Sequence, residues 1–243
     1  MKRESFGSRL GFILVSAGCA IGIGNVWKFP YICGAYGGAA FILIYLCFLV
    51  ILGIPVLVAE FAVGRGSHTS VAKCFDKLAP AGSGWKPLKF IGIIGCYMLM
   101  MFYTTVGGWM IYYCVKSLRG DFVGATPEAV TQSFSDMLGN APTMMLWMVI
   151  ICLIGFAVCF MGLQNGIEKI SKVMMSALLI IMVILAVHSV MMEGAGEGIR
   201  FYLIPDFQKI KEAGVGNVVF AALSQSFFTL SIGIGAMLIF GSY

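Results

Sequence analysis

Residues 18–30 read GCAIGIGNVWKFP and place three glycines, one asparagine and one lysine inside an otherwise apolar stretch. The run from 10 to 27 carries no charge, which suits a helix that enters a lipid bilayer. Glycine costs about 1 kcal/mol relative to alanine inside a helix, and an unsatisfied backbone group in hydrocarbon costs several kcal/mol more. We therefore expect a helix that unwinds here because polar ligands satisfy the released backbone groups.

Residues 225–235 repeat this pattern as QSFFTLSIGIG, with hydroxyl side chains upstream of two glycines. Close helix packing is the simpler explanation of such glycines, and we expect it at positions 34, 37, 38, 107 and 108. A nucleotide-binding loop is excluded, because residues 22–24 lack the third glycine and the preceding strand of that motif. Two interrupted segments favour discontinuous helices whose amide ends bind a carboxylate and whose carbonyl ends bind a hard cation such as sodium.

The composition is that of a protein whose solvent is lipid. Hydrophobic residues make up 60% of the 243 residues and charged residues 11%, against about 45–50% and about 25% in soluble domains. These figures exclude a disordered chain, a disulfide scaffold, a collagen and a nucleic-acid binder. The uncharged runs predict an all-α polytopic membrane protein with six transmembrane helices. The predicted spans lie at approximately 10–36, 41–65, 88–116, 143–161, 168–190 and 215–241.

The distribution of basic residues predicts the orientation of the spans. With the N-terminus inside the cell, ten of the sixteen Lys and Arg residues face the cytoplasm and six face outward. Cytoplasmic loops of polytopic membrane proteins carry an excess of Lys and Arg. We therefore predict a multi-pass protein of the cell membrane with its N-terminus in the cytoplasm.

The sequence carries no motif typical of an enzyme or of a structural metal site. The eight cysteines include no CxxC pair and lie mostly within spans, so we expect small buried apolar residues and neither disulfides nor zinc ligands. The GxSxG and HExxH motifs are absent, which argues against a membrane-embedded hydrolase. Residues 16–19 resemble a lipoprotein cleavage site. Cleavage there would still leave five further spans, so we expect no cleavage at this position.

Several runs carry a specific resemblance to a known family. Residues 22–31 read GIGNVWKFPY, residues 37–41 read GGAAF, and residues 53–55 read GIP ahead of Glu60. Together with the segment 225–243, they resemble the neurotransmitter:sodium symporter family, in particular its bacterial amino-acid transporters of the leucine-transporter type. The family has twelve spans, and the first ten form two inverted repeats of five.

The resemblance covers essentially the whole chain and implies how it is organised. Residues 1–9 would form a cytoplasmic tail, 10–190 a first repeat of five helices, 191–214 an extracellular loop, and 215–243 the discontinuous opening helix of the second repeat. The chain would then be the N-terminal half of a symporter, and we expect function to require the missing C-terminal half. A self-sufficient six-span transporter built from two copies is the alternative.

The resemblance implies a sodium-coupled secondary active transporter that imports an amino acid by alternating access. Monoamine members carry Asp at the position of Gly22, so the substrate here would bring its own carboxylate, and we expect a medium or large apolar amino acid. Tyr45, Gln225 and Thr229 overlap positions linked to chloride in some members, which leaves chloride dependence open. The alternative function is a non-transporting membrane scaffold or a channel-like subunit, although none of the six predicted spans has a channel's continuous polar stripe.

The resemblance also implies two sodium sites at the breaks. The first would use the Ala20 carbonyl, the Asn25 side chain and Thr229, and the substrate carboxylate would complete it. The second would use the carbonyls of Gly18 and Ile21, with further ligands on an eighth span. Because the protein ligands of the first site are neutral, sodium and an anionic substrate group would each strengthen the binding of the other.

The residues that the resemblance assigns to the substrate and to the gates surround the same breaks. The carboxylate would be held by the Ile23 and Gly24 amides and the Tyr103 hydroxyl, the amino group by the Ala20, Phe228 and Thr229 carbonyls and the Ser231 hydroxyl, and the side chain by Leu99, Phe228 and Ile234. The outer gate would comprise Lys28, Tyr103 and Phe228, and the inner gate Arg3, Phe6, Ser242 and Tyr243. Glu60 is expected to be a structural hydrogen-bonding residue within the second span.

Overall fold

The computed structural model of this chain describes residues 6–243, in which all regular secondary structure is helical. The helices of this range follow in the order α1 Arg9–Ala20, α2 Gly24–Ala35, α3 Ala39–Ser67, α4 Val71–Leu78, α5 Leu88–Arg119, α6 Pro127–Gly139, α7 Ala141–Phe160, α8 Leu163–Met191, α9 Ala195–Leu203, α10 Phe207–Ala213, α11 Val215–Leu230 and α12 Ala236–Gly241. Three segments within them are π-helical: Gly24–Lys28, Leu49–Gly53 and Leu163–Glu168. The all-α fold predicted from the sequence is confirmed.

Four of the described helices, α3, α5, α7 and α8, are each long and apolar enough to cross a membrane. They correspond to the second through fifth predicted spans, and the largest difference is the start of α8 at Leu163 instead of 168. Two bent pairs, α1 with α2 and α10 with α11, also have the length and composition of a span. Counting each pair as one span gives up to six, so the number of six spans stays a prediction.

The first predicted span is interrupted at its glycines. α1 ends at Ala20 and α2 begins at Gly24, and the two helices are bent by 51° relative to each other. α1 begins behind Ser8, whose Oγ accepts a hydrogen bond from the N–H of Gly11 and so caps the helix. Ile21, which follows the last turn, has left helical geometry, with φ −89° and ψ 85°. The break therefore covers the three residues between the two helices.

The sixth predicted span is interrupted as well. α11 ends at Leu230 and α12 begins at Ala236. Between them, Ser231, Gly233 and Gly235 adopt positive φ angles of 51°, 89° and 78°. A left-handed residue cannot continue a right-handed helix, and glycine accepts this conformation without the steric cost of a side chain. Both discontinuous helices predicted from the sequence are therefore confirmed.

The glycines predicted to permit close helix packing differ among themselves. In α5, a Cβ at Gly107 would lie 3.2 Å from a side-chain atom of α7, and one at Gly108 would lie 2.9 Å from a backbone atom of α7, so both permit close packing. Gly37 and Gly38 have positive φ angles of 92° and 58° and form the turn between α2 and α3. Among residues 6–243 nothing lies within 4 Å of a Cβ at Gly34, so the packing role predicted for Gly34 is not found there.

The described chain divides into two compact units. One comprises residues 6–92 and Leu163–Tyr243, and the other comprises Ile93–Gly162. In the first unit α3 packs against α11, and the fully buried side chains of Phe41 and Val218 form the centre of that contact. In the second unit α5 packs against α7 through the glycines described above. Both interrupted helices belong to the first unit, which therefore holds most of the predicted ligands.

Large apolar side chains cover the outer surface of the long helices. Phe156 and Phe160 on α7 are 75% and 93% exposed, and the most apolar stretches of α7 and α8 bury no residue within the described chain. Helices that are hydrophobic on every side are suited to contact with lipid or with further helices rather than with water. Their surfaces agree with the membrane environment predicted from the composition.

Candidate functional site

The two breaks lie next to each other in the first unit. The Ser231 hydroxyl, in the second break, donates a hydrogen bond of 2.8 Å to the Cys19 carbonyl oxygen in the last turn of α1. Carbonyl groups of a last helical turn have no partner within their own helix. In addition, Nε2 of Gln225 on α11 donates a hydrogen bond of 3.1 Å to the Gly24 carbonyl at the start of α2. Side-chain to backbone hydrogen bonds therefore join the two interrupted helices at their breaks.

Asn25 lies near the start of α2 and turns its side chain back toward the end of α1. Its Nδ2 donates a hydrogen bond of 3.1 Å to the Ala20 carbonyl oxygen. Its Oδ1 is buried and has no hydrogen-bond partner within residues 6–243. Buried side-chain oxygens are nearly always paired in folded proteins. The structure thus brings two residues predicted for the first sodium site together and leaves one oxygen available to a ligand.

Thr229, the third residue predicted for that sodium site, is linked to α2 through Gln225. Nε2 of Gln225 lies 3.4 Å from the Thr229 hydroxyl oxygen, and the same nitrogen bonds the Gly24 carbonyl. Gln225 is only 1% exposed, and its Oε1 has no hydrogen-bond partner in the part of the chain that the structure describes. This bridge was not predicted from the sequence. The sequence signal for this bridge was an amide side chain within an apolar span, four residues before a threonine on the same helix face.

Phe228 lies directly against Gly24. A Cβ at Gly24 would overlap ring atoms of Phe228, so only glycine allows this approach of α11 to α2. The ammonium of Lys28, one turn further along α2, lies 5.2 Å from the centroid of the same ring, a distance typical of a cation–π contact. Lys28 and Phe228, both predicted for the outer gate, are therefore in contact with each other.

Glu60 on α3 contacts the second break. Its Oε1 accepts a hydrogen bond of 2.6 Å from the backbone N–H of Gly233. Gly233 has a positive φ angle, so its N–H lies outside any helical hydrogen-bond pattern and needs a partner of this kind. The hydrogen-bonding role expected of Glu60 is confirmed. Its other oxygen, Oε2, is buried without a partner among the described residues.

The residues predicted for the inner gate are found close together where the structure describes them. The rings of Phe6 and Tyr243 lie 6.0 Å apart in an edge-to-face arrangement. Ser242, next to Tyr243, is buried, and its hydroxyl donates a hydrogen bond of 2.6 Å to the Ile239 carbonyl. Arg3, the remaining inner-gate residue, lies outside the described residues.

Leu99 and Tyr103 lie on α5, one helical turn apart, in the second unit. The Tyr103 ring packs edge-to-face against Phe102 at 5.8 Å, and the substrate contacts predicted for Leu99 and Tyr103 stay predictions. The other predicted ligands lie in the first unit, in or directly beside the breaks: Gly18, Ile21, Ile23 and Ile234.

Comparisons with known proteins agree with this geometry. Residues 3–133 and 128–243 match the family described as the sodium:neurotransmitter symporter family. An uncharacterized sodium-dependent transporter of Bacillus subtilis is 36% identical over 242 residues, which are 100% of this chain and 52% of the relative. The sodium-dependent serotonin transporter of Drosophila melanogaster is 29% identical over 283 residues, which cover 99% of this chain and 43% of that protein.

A solved structure gives the same result for the fold. The crystal structure of MhsT in complex with L-phenylalanine is similar to this chain with a TM-score of 0.89 and 37% sequence identity. The similarity covers 100% of this chain and 54% of MhsT. The chain thus spans about half the length of the curated relatives and of the solved structure that it matches.

Proposed function

Because the chain belongs to the sodium:neurotransmitter symporter family, we propose that it carries the sodium and substrate ligands of a transporter that imports an amino acid together with sodium. The pairing of the two breaks is the observation that carries this proposal. At the Ser231–Cys19 hydrogen bond, the non-helical second break contacts the last turn of α1, next to the first break, within an otherwise apolar chain. Backbone groups released at such breaks are available to ions and to charged substrate groups.

The oxygen atoms at the first break suit sodium. The Asn25 side chain donates a hydrogen bond to the Ala20 carbonyl, and its other polar atom, Oδ1, has no partner among the described residues. Thr229 is hydrogen-bonded to Gln225, which also bonds the start of α2. Hard cations prefer oxygen ligands of this type. All three protein ligands are neutral, so the charge of a buried cation there has no protein counter-charge. A substrate carboxylate would supply that counter-charge, which makes the two ligands bind cooperatively.

The substrate class follows from the residues next to that cation site. Gly22 and Gly24 provide backbone amides and no carboxylate, so the site favours a substrate that brings its own carboxylate over a biogenic amine. The Ser231 hydroxyl donates its hydrogen to Cys19, which leaves its oxygen lone pairs to accept a hydrogen bond from a substrate ammonium. Phe228 supplies an apolar wall. MhsT was solved with L-phenylalanine, and we propose an apolar amino acid of medium or large size.

The sodium gradient supplies enough free energy for uphill uptake. One sodium ion that crosses about 100 mV contributes roughly 2.3 kcal/mol, and a tenfold concentration gradient adds about 1.4 kcal/mol. Each 1.4 kcal/mol corresponds to a factor of ten. One sodium ion per substrate would therefore sustain roughly several-hundredfold accumulation of a zwitterion.

The proposed cycle is alternating access around a fixed binding site. The contact of Lys28 with Phe228 and the contact of Phe6 with Tyr243 would be broken in turn as the site opens to one side and then to the other. The interrupted first and sixth spans would move together, because side-chain to backbone hydrogen bonds join them at the breaks. The third and fourth spans, α5 and α7, would serve as the scaffold.

Uptake by proteoliposomes that contain the full protein tests the proposal. We expect accumulation of a radiolabelled apolar amino acid, with L-phenylalanine as the first probe, only under an inward sodium gradient. Replacement of external sodium by potassium or choline should abolish accumulation, and a gradient set to zero should leave only exchange. Uptake at an equal rate without sodium would favour a channel-like protein, and binding or uptake of none of the twenty amino acids would favour a scaffold.

A further inference from the structure

A buried carboxylate that the proposed binding site does not use lies at the first turns of α8. Glu168 is only 3% exposed, although it lies at the end of this span predicted to face the cytoplasm. Carboxylates are almost never so completely buried unless they are paired. The partners of Glu168 come from its own helix and from the chain that leads into α1.

Both carboxylate oxygens of Glu168 accept hydrogen bonds from residues at the start of α1. Oε2 accepts a hydrogen bond of 2.8 Å from the Gly7 N–H, and Oε1 accepts one of 3.1 Å from the Ser8 hydroxyl. The Lys172 ammonium donates to Oε1 at 2.7 Å and to the Ser8 hydroxyl at 2.9 Å. Ser8 is also the residue that caps α1 by accepting the Gly11 N–H at 3.0 Å. One carboxylate therefore bonds two consecutive residues at the start of a helix more than 150 positions away in sequence.

The position of this carboxylate is favourable for electrostatic and for steric reasons. It lies at the N-terminus of α1, where the helix dipole stabilises negative charge. A Cβ at Gly11 would overlap the Glu168 side chain, so the absence of a side chain at Gly11 creates the space in which the carboxylate lies. The contact is specific, because the sequence provides a glycine, a capping serine and a glutamate at matching positions.

Further along the two helices the contact is apolar. Gly18 on α1 packs closely against Met175 on α8, where an added Cβ would lie 3.2 Å from the sulfur atom. A cleft of about 630 Å³ lies between the two helices and is lined by Val15, Gly18, Cys19 and Met175 among others. The hydrogen bonds at Glu168 are the main polar connection of α1 to α8 in the described chain. α1 is thus joined to α8 by polar contacts at its first residues and by apolar packing further along.

We propose that Glu168 is a positioning residue that holds the inner half-helix α1 against α8 while the transporter is closed toward the cytoplasm, and that α1 moves away from α8 when these hydrogen bonds exchange with water. The inference rests on the proposed function, because it assigns Glu168 a place in the alternating-access cycle. α1 has twelve residues and is about 18 Å long, and its other end carries the Ala20 carbonyl. Sodium at one end and Glu168 at the other therefore stabilise the same position of one rigid helix, so each strengthens the effect of the other.

Cys19 gives a direct measurement of this movement, because it lines the cleft between α1 and α8. The experiment uses the full protein with every other cysteine replaced by alanine, in inside-out vesicles treated with a membrane-impermeant maleimide. In sodium, we expect Glu168→Gln to raise the rate of Cys19 labelling about tenfold or more, which is the effect of losing hydrogen bonds to a charged group. Glu212→Gln, an exposed carboxylate on α10, is the control and should label like the parent protein.

A second pair of substitutions separates this role from simple stabilisation of α8. Glu168 and Lys172 are four residues apart, a spacing that supports an ion pair within one helix. The double variant E168K/K172E restores that pair but places a cation at the N-terminus of α1. We expect it to label as fast as Glu168→Gln, because a lysine cannot accept the Gly7 N–H. Recovery of the parent rate by the double variant would overturn the proposal.

The labelling assay needs no transport, so its result is independent of the uptake test. Parent uptake that requires sodium, combined with unchanged labelling in Glu168→Gln, overturns the role of Glu168 and leaves the proposed function standing. Faster labelling in Glu168→Gln without any uptake by the parent supports the role of Glu168 in holding α1 and overturns the proposed transport function. If Glu168→Gln fails to fold, Ser8→Ala removes one hydrogen bond to the carboxylate and should accelerate labelling severalfold. Unchanged labelling in Ser8→Ala would then overturn the proposal.

Discussion

The ring of Phe228 occupies the space that a side chain at Gly24 would need, so this close approach of α11 to α2 requires glycine at position 24. We expect Gly24→Ala to force the two helices apart and to lower substrate affinity about tenfold or more, since overpacking typically costs about 1–3 kcal/mol. Gly34→Ala is the matched control, because it lies in the same helix α2 and no described residue comes within 4 Å of the added Cβ. Equilibrium binding of radiolabelled amino acid to the purified full protein measures the difference.

A compensating substitution shows whether the effect of Gly24→Ala is steric. Overpacking at Gly24 should also lower thermal stability. Phe228→Leu shortens the side chain that the new methyl group contacts, so the double variant Gly24→Ala/Phe228→Leu should regain part of that thermal stability. Equal binding by Gly24→Ala and Gly34→Ala would mean that the approach of Phe228 to Gly24 is not needed for the site.

Asn25→Ala tests whether sodium and substrate share ligands. Removal of the buried Oδ1 deletes one proposed sodium ligand, so we expect the sodium concentration for half-maximal binding and the substrate Kd to rise together, each by about fivefold to a hundredfold. Asn217→Ala is the control, because this asparagine is exposed and its side chain bonds only the Ala213 carbonyl within residues 6–243. Sodium-dependent binding of labelled substrate, titrated with each ligand in turn, gives both constants. A change in one constant alone contradicts a shared site.

Glu60 and Gly233 provide a test of how the second break is stabilised. Glu60→Ala leaves the Gly233 N–H without its 2.6 Å acceptor, and we expect a loss of about 1–3 kcal/mol in stability. Glu60→Gln keeps an oxygen that can accept this hydrogen bond, so it should lose less. Thermal unfolding of the full protein in detergent measures both, with Glu193→Gln as the control at an exposed position. If Glu60→Ala were as stable as the control, the hydrogen bond would contribute nothing to the break.

Both breaks could be predicted from the sequence, because several glycines and hydroxyl side chains close together in an apolar span weaken a helix that lipid would otherwise keep continuous. Residue patterns within one helix cannot say which atoms of two distant helices meet. The hydrogen bond from Ser231 to Cys19 and the bridge by Gln225 were therefore found only in the structure. The same limit applies to Gly34, which has no close neighbour among the described residues, since a glycine marks a possible close contact but not the presence of a neighbour.

Glu168 shows a second limit of prediction from sequence. Its place at the cytoplasmic end of a predicted span is normally a solvated position for a carboxylate. Burial of its carboxylate depends on Gly7, Ser8 and Gly11, which lie more than 150 residues earlier in the chain. Charge counting assigns such a residue to a side of the membrane, but only packing shows that it is enclosed.

Ser231 combines two features that substitution can separate, a positive φ angle of 51° and a hydroxyl that donates to the Cys19 carbonyl. Ser231→Ala removes the hydroxyl and keeps a Cβ in the left-handed region, whereas Ser231→Gly removes the hydroxyl and the steric cost together. If the hydroxyl positions the two breaks and accepts the substrate ammonium, both variants should bind substrate about tenfold more weakly. Thermal unfolding should nevertheless favour the glycine variant over the alanine variant by about 1 kcal/mol.

Ser135→Ala is the control for these two variants, because its hydroxyl bonds the Thr131 carbonyl on the exposed helix α6. It should change neither substrate affinity nor sodium dependence. Parent-like affinity in the glycine variant, with weak binding in the alanine variant, would show that backbone strain and not the hydroxyl determines the site. In that case the Ser231–Cys19 hydrogen bond would be a consequence of the two breaks lying together, and the bridge from Gln225 to Gly24 would be left as the connection that holds them.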